Sequence, residues 1–449
     1  MRTIPAKPWL PRPPAPSLTL TNVTIIDVEA GTTIPNCSIQ IKNGLIDEIT
    51  TGPRPSNSNP DSRVINLAGL YICPGLIDCH VHITATPGGN NLSDMFAASP
   101  TSLTLRATYV ARQMLLRGFT TVRDTGGADA SLRAEISEGL IPGPRLFIAG
   151  KALSQTGGHG DLRPSYQGTT DNIQCCGGHS PSLARVADGV PDCLAAVRDE
   201  IRQGADFIKI MVGGGVASPS DTIAMVQFTP EEIQAITRTA AYSGKYVTAH
   251  AYTSQAIRHA VENGVRGIEH GNFIDADTAE YCKEMGVTVT PTLVTYHGMS
   301  SPPFQRFLDE EGQKKNAQVL KGGLESLRIL RDAGVSMCYG SDLLAGLHPL
   351  QNQEFSIRAS VLGAAEILRS ATVNAAKVVG MEGKLGVVQK GAIADLLILK
   401  RNPLEDITVL DRIGENMVGL LKDGRVVIQK LGGSGLAVDP LYDPCRVQE

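Results

Sequence analysis

The chain has 449 residues, 42% of them apolar and 19% charged, which supplies a large core and excludes a mostly disordered polypeptide. Its 41 basic and 45 acidic residues leave a formal charge of −4 with no long run of either sign, which argues against a nucleic-acid partner or an anionic membrane surface. No apolar stretch approaches the ~20 residues of a spanning helix. The nine cysteines are odd in number and lack a CxxC spacing, so neither a disulfide framework nor a structural zinc site is expected.

Residues 1–16 carry Pro11, Pro13, Pro14 and Pro16 and read as an extended arm. They lack the apolar centre of a secretory signal, so a cytoplasmic location is expected. Residues 17–73 alternate with strand period: 18–27 is a strand, and 38–47 is a hairpin turning at Asn43-Gly44. The stretch 385–432 repeats this style, with a strand at 394–399 and a hairpin turning at Asp423-Gly424, before a tail over 433–449. Neither β segment is long enough for a core of its own. The two ends are expected to pair into one small β-sandwich.

The middle, 74–384, has a regular grammar of helix, Gly stop and short β run. The stops at Gly118, Gly204, Gly244, Gly264, Gly286 and Gly334 suit left-handed helix ends. Thr229-Pro-Glu-Glu places Thr at an N-cap, Pro at the first helical position and Glu where it closes a capping box. Strands are expected at 76–82, 119–124, 145–150, 207–212, 246–250, 267–270, 287–291 and 336–342. Eight strands alternating with helices indicate an α/β fold of the (β/α)8 TIM-barrel type. A doubly wound open sheet is the alternative, weakened by the lack of a GxGxxG after the first strand.

Catalytic groups of such a barrel project from the C-terminal strand ends. Here those ends carry His80 and His82, then Lys209, His250, His270 and Asp342. Each has a bland reading on its own, a packed histidine or a capping aspartate. Lys209 is the hardest to dismiss, because an ammonium between two isoleucines is costly without a partner. Taken jointly, imidazoles and a carboxylate suit a borderline divalent metal such as Zn2+. A protonated lysine cannot ligate, but a carbamate formed from it with CO2 offers two anionic oxygens that bridge two cations. Metal binding brings the pKa of water toward ~7, and an aspartate beside it accepts the proton.

Pro74-Gly-Leu-Ile-Asp-Cys-His-Val-His, Phe207-Ile-Lys-Ile-Met, Thr248-Ala-His-Ala-Tyr, Gly267-Ile-Glu-His-Gly and Tyr339-Gly-Ser-Asp together resemble the motifs of the metal-dependent amidohydrolase superfamily. The resemblance runs from the first β segment to Asn402-Pro-Leu-Glu-Asp. It implies that His80, His82 and Asp342 hold the more buried of two ions and His250 and His270 the more exposed one, with carboxylated Lys209 between them. It further implies that hydroxide held by the metals attacks an amide carbonyl while Asp342 shuttles the proton. Ala152-Leu-Ser-Gln-Thr-Gly-Gly-His-Gly-Asp and Val212-Gly-Gly-Gly-Val-Ala-Ser resemble the ochratoxinase and Xaa-Pro dipeptidase (prolidase-like) branch, which cleaves an amide beside a free C-terminal carboxylate. By that likeness His159, Gly214, Gly215, Ser218 and Tyr252 are candidate substrate contacts, and Asp342, His270, His159 and Tyr252 the candidate catalytic groups. A homo-oligomer acting on a small N-acyl amino acid or dipeptide, an ochratoxin-like amide included, is what the branch implies.

Two departures stand out. Tyr252-Thr253 occupy the place where the branch usually has a second histidine followed by Gly, and 161–190 is a long irregular insertion over the expected mouth. A lyase on the same barrel is the alternative activity. A non-enzymatic assembly protein is a third, disfavoured by the complete set of six ligands.

Overall fold

The computed structural model describes residues 7, 9–10, 12–52, 62–89, 91, 94, 98–163, 183–218, 220–432 and 437–443. Strands β1 (Leu18–Asp27), β2 (Thr32–Lys42) and β3 (Leu45–Thr51) form an antiparallel meander. Strands β4 (Arg63–Asn66) and β5 (Tyr71–Pro74) run parallel to β1.

The middle of the chain supplies parallel strands. One sheet is β6 (Leu76–Val81), β7 (Phe119–Asp124) and β8 (Arg145–Ile148) in that order. The second comprises β9 (Ala152–Ser154), β10 (Ala184–Val186), β11 (Ile208–Met211), β12 (Val247–Thr253), β13 (Gly267–Phe273) and β14 (Thr288–Thr290). Its spatial order is β10-β9-β11-β12-β13-β14. Strands β6, β7 and β11 are buried at every position, as parallel strands covered on both faces must be.

Backbone hydrogen bonds link the two sheets on both sides. Asp206 N donates to Ile148 O at 2.7 Å beside β8. On the far side, Cys338 N donates to Val289 O at 2.9 Å, and Cys79 N to Tyr339 O at 2.8 Å. The stretch 336–342 therefore lies between β14 and β6, although it holds one bridge, Val289 with Met337, rather than a full strand. The strand expected at 145–150 is likewise broken into β8 and β9, because Gly150 turns left-handed at φ 72°. All six expected helix stops have positive φ, and Thr229 forms the expected capping box with Glu232.

The C-terminal strands β15 (Leu396–Leu399), β16 (Met417–Lys422) and β17 (Arg425–Gln429) complete the first sheet, with β15 antiparallel to β5. Both hairpin turns are left-handed pairs, Asn43 and Gly44 at φ 53° and 80°, Asp423 and Gly424 at 52° and 69°. They meet face to face: a Cβ on Gly424 would lie 2.8 Å from Gly44 Cα. Between them Ala394 donates to Gly44 O and accepts from Gly424 N. Leu20, Ile39, Ile72, Leu396 and Ile398 pack into the core this sheet shares.

Of the expected insertion, residues 164–182 lie outside the described residues, and its far end forms β10 beside β9. The six described cysteines are buried free thiols; Cys175, Cys176 and Cys445 lie outside the described residues. Among the described residues no helix is long and apolar enough to cross a membrane.

Candidate active site

The parallel strands aim their C-terminal ends at one cavity of about 100 Å3. It is lined by His80, His82, His159, Lys209, His250, Tyr252, His270 and Asp342, with Leu183, Met211 and Val216 among its apolar walls. His80 is the penultimate residue of β6 and His82 follows it by two, so the pleat turns both imidazoles to the same side. Ligand-capable atoms of His80, His82 and Asp342 all lie within 4.8 Å of one another. The Nε2 atoms of both histidines are 3.3 Å from Asp342 Oδ1. The His270 ring is 4.9 Å from that of His80 and 4.6 Å from that of His250.

Each of these imidazoles has one nitrogen committed to the protein. His80 Nδ1 meets Glu269 Oε2 at 2.8 Å, and His82 Nδ1 meets Gly126 O at 2.8 Å. His250 Nε2 meets Gly214 O at 3.1 Å, and His270 Nδ1 meets Thr292 Oγ1 at 2.7 Å. A ring whose one nitrogen donates to an oxygen keeps a lone pair on the other, which fixes tautomer and direction as metal-ligating histidines require. Four rings prepared in this way beside a carboxylate fit a divalent cation.

The electrostatics agree. Burial lowers His250 and His270 well below the ordinary imidazole value, so both stay neutral. For Asp342 burial acts upward, but His80, His82 and His270 outweigh it and hold the carboxyl ionised, well below its usual range. Burial brings the Lys209 amine down to about 8. No described residue accepts a hydrogen bond from its Nζ. His270 and Asp342 are also left-handed, at φ 75° and 51°, a conformation that costs side-chain-bearing residues of order 1–3 kcal/mol and clusters at functional sites.

Two residues without a role in the sequence reading anchor this arrangement. Glu269, fully buried, divides its carboxylate between His80 and Arg123, whose Nη2 donates at 2.6 Å. Arg123, 1% exposed, also donates to Cys79 O on β6. The reasoning that singled out Lys209 applies to both: a charge inside a buried parallel strand needs a partner, and these two are opposite charges on separate strands, β13 and β7. Asp78 is a third, accepting from Ser341 Oγ at 2.6 Å and Gln351 Nε2 at 2.9 Å, which ties β6 to the segment that carries Asp342.

The candidate substrate contacts divide. Tyr252 and His159 line the cavity, and the His159 ring stacks on His250 at 4.2 Å. Gly214, Gly215 and Ser218 do not line it; Val216 and Ala217 do. The glycines work from behind: Gly214 holds His250 through its carbonyl, and a Cβ on Gly215 would lie 1.9 Å from His159 Cε1. Ser218 donates to Asp221, so its oxygen accepts from His159 Nδ1 at 3.0 Å and leaves His159 Nε2 bare. Lys315, buried on the helix Glu310–Asp332, clamps that loop by donating to the carbonyls of Ser218 and Asp221. Tyr252 accepts from Tyr296 at 3.0 Å, and burial pushes its phenol up, so it keeps a proton to donate.

Known proteins share this frame. The sequence profile of the amidohydrolase family matches residues 71–427. The ochratoxinase of Aspergillus niger is 31% identical over 361 residues, spanning 75% of this chain and 72% of that protein. Among solved structures, a prolidase complexed with N-methylphosphonate-L-proline superposes with a TM-score of 0.87 at 44% identity, covering 92% of this chain and 100% of the other. A Xaa-Pro dipeptidase with methionine bound in its active site follows at a TM-score of 0.81 and 31% identity, covering 91% and 99%. The chain belongs to the amidohydrolase family, in its ochratoxinase and prolidase branch, and is a hydrolase acting on C–N bonds.

Proposed function

We propose that this protein hydrolyses the amide bond of an N-acyl amino acid or dipeptide carrying a free C-terminal carboxylate, an ochratoxin-like amide included, on a pair of divalent ions. The observation that carries the reading is the convergence of His80, His82, Lys209, His250, His270 and Asp342 on one cavity. The family membership and the printed activities of its relatives, an ochratoxinase and a Xaa-Pro dipeptidase, support the substrate class. The fold of those neighbours and the bonds linking the two parallel sheets support a closed (β/α)8 barrel over 74–384, with a sandwich made from 17–73 and 385–432.

His80, His82 and Asp342 would hold one ion, His250 and His270 the other, with Lys209 between them as a carbamate. Zn2+ suits these donors. Bound there, the ions supply a nucleophilic water at neutral pH and polarise the scissile carbonyl. The lowered Lys209 amine supports the carbamate, since only a free amine adds CO2. Asp342, ionised and facing the cavity, takes a proton from the attacking water and returns it to the leaving nitrogen. Tyr252 offers its proton to an oxyanion or carboxylate, and His159 Nε2 accepts from a substrate N–H.

The test is turnover by Zn2+-loaded protein across N-acyl amino acids, Xaa-Pro and other dipeptides, and an ochratoxin-like amide, each paired with its carboxamide analogue. Cleavage restricted to substrates with the free carboxylate is the expected result. Equal turnover of the carboxamides, or release of a product other than amine and acid, refutes it.

A further inference from the structure

We propose that the end of the parallel sheets opposite the histidines carries a second binding site, for a compact multivalent anion of the phosphate class. A cavity of about 330 Å3 opens there among the N-terminal ends of β12, β13 and β14. Four cations line it, Arg123, Arg266, Lys283 and Lys377, and no carboxylate does.

The cations come from separate elements. Arg123 rises from β7, Arg266 precedes β13, Lys283 lies in the last turn of the helix Ala276–Glu284, and Lys377 in the last turn of the helix Val373–Val378. Among the described residues none of Arg266, Lys283 and Lys377 has an ion-pair partner. The two lysines each complement a helix C-terminus, which accounts for their sign one at a time. It does not account for their meeting Arg266 across a single hollow. Three cations without a counter-charge among the described residues line one hollow, and an anion in it would supply the missing charge.

The hollow has the features of a site as well as of a patch. Its floor is the buried Arg123 guanidinium, fixed by Tyr246 Oη at 3.1 Å, and its wall adds the Thr288 and Thr290 hydroxyls. Guanidinium, ammonium and hydroxyl donors lining one hollow are the chemistry that recognises phosphate oxygens. The volume is at the low end for ligand pockets, which selects a small ligand over a nucleotide. The floor also leads onward: Arg123 holds Glu269, and Glu269 holds His80.

Isothermal titration of inorganic phosphate into the full chain tests the site, with Lys283→Gln/Lys377→Gln and Lys283→Arg/Lys377→Arg as companions. Losing two charge-assisted contacts should weaken binding by at least about tenfold in the glutamine variant. The arginine variant should bind as the parent does. Amide turnover in phosphate-free buffer and the unfolding temperature without phosphate should match in all three, which separates this site from the histidine cavity and from misfolding. Isotherms that coincide for parent and glutamine variant, or show binding in neither, overturn the proposal.

Discussion

Glu269→Gln keeps the size of a side chain and removes its charge from between Arg123 and His80. The glutamate is fully buried and its guanidinium contact is 2.6 Å long. At an effective permittivity of about 20 such a contact has a gross attraction of roughly 6 kcal/mol, largely offset by the desolvation of both ions. Removing one partner leaves Arg123 buried without a counter-charge, a loss of about 3–5 kcal/mol. In a chain of 449 residues that lowers the unfolding temperature by roughly 3–5 °C. The second consequence is separate. The amide has one acceptor oxygen where the carboxylate had two, so His80 Nδ1 and Arg123 compete for it, the hold on the imidazole weakens, and metal affinity should drop about 10–100-fold. Calorimetry on metal-free protein reads the first effect, and competition with a chromophoric chelator reads the second. Adding Arg123→Met to the variant removes the stranded cation, so most of the stability should return while metal affinity stays low. Unchanged affinity and unchanged unfolding in Glu269→Gln, or a double variant as unstable as the sum of the singles, would refute the coupling.

Three further outcomes are expected. Asp342→Asn preserves the fold, since asparagine tolerates the left-handed backbone, but should lower kcat/KM by about 10²–10⁴-fold; activity within a few-fold of the parent rules out the proton-shuttle role. In metal-free protein the Lys209 amine, depressed from 10.5 to about 8, disfavours the folded state fully below about pH 8 and progressively less up to 10.5. Lys209→Met should therefore stabilise the metal-free chain at pH 7 by up to about 3 kcal/mol, and a denaturant titration giving the same gain at pH 7 and pH 10.5 contradicts the burial argument. Dialysis against a chelator should abolish turnover, with Zn2+ plus bicarbonate restoring it faster than Zn2+ in CO2-free buffer; a fully active metal-free chain excludes the metal reading.

The strand-end histidines, Lys209 and Asp342 were legible because a parallel strand encodes its own direction: the Gly stop marks where it begins, and the polar residue where it ends. The hairpin turns were legible for a similar local reason, since Asn43-Gly44 and Asp423-Gly424 need left-handed backbone. What stayed hidden depends on partners far away in sequence. Glu269 stands one residue from a singled-out histidine, yet its work is defined by Arg123 and His80 on β7 and β6. Lys315 looks like a solvated residue on a polar helix, and only packing turns it inward to clamp the Ser218–Asp221 loop. Gly214 and Gly215 were read as substrate contacts because they lie in a motif, whereas space for the His159 ring is what position 215 has to provide.

The sheet that joins the two chain ends has a consequence for synthesis. Strand β5 ends at Pro74 and its partner β15 begins at Leu396, with the whole of the parallel region made in between. At typical translation rates the emerging chain waits roughly 15–60 s for that partner. During that interval β5 presents an open edge to other nascent chains. The core that β1 to β5 begin thus closes only after the parallel region has been made, and a chaperone that shields this edge would raise the yield of native protein more than one acting on the finished parallel region.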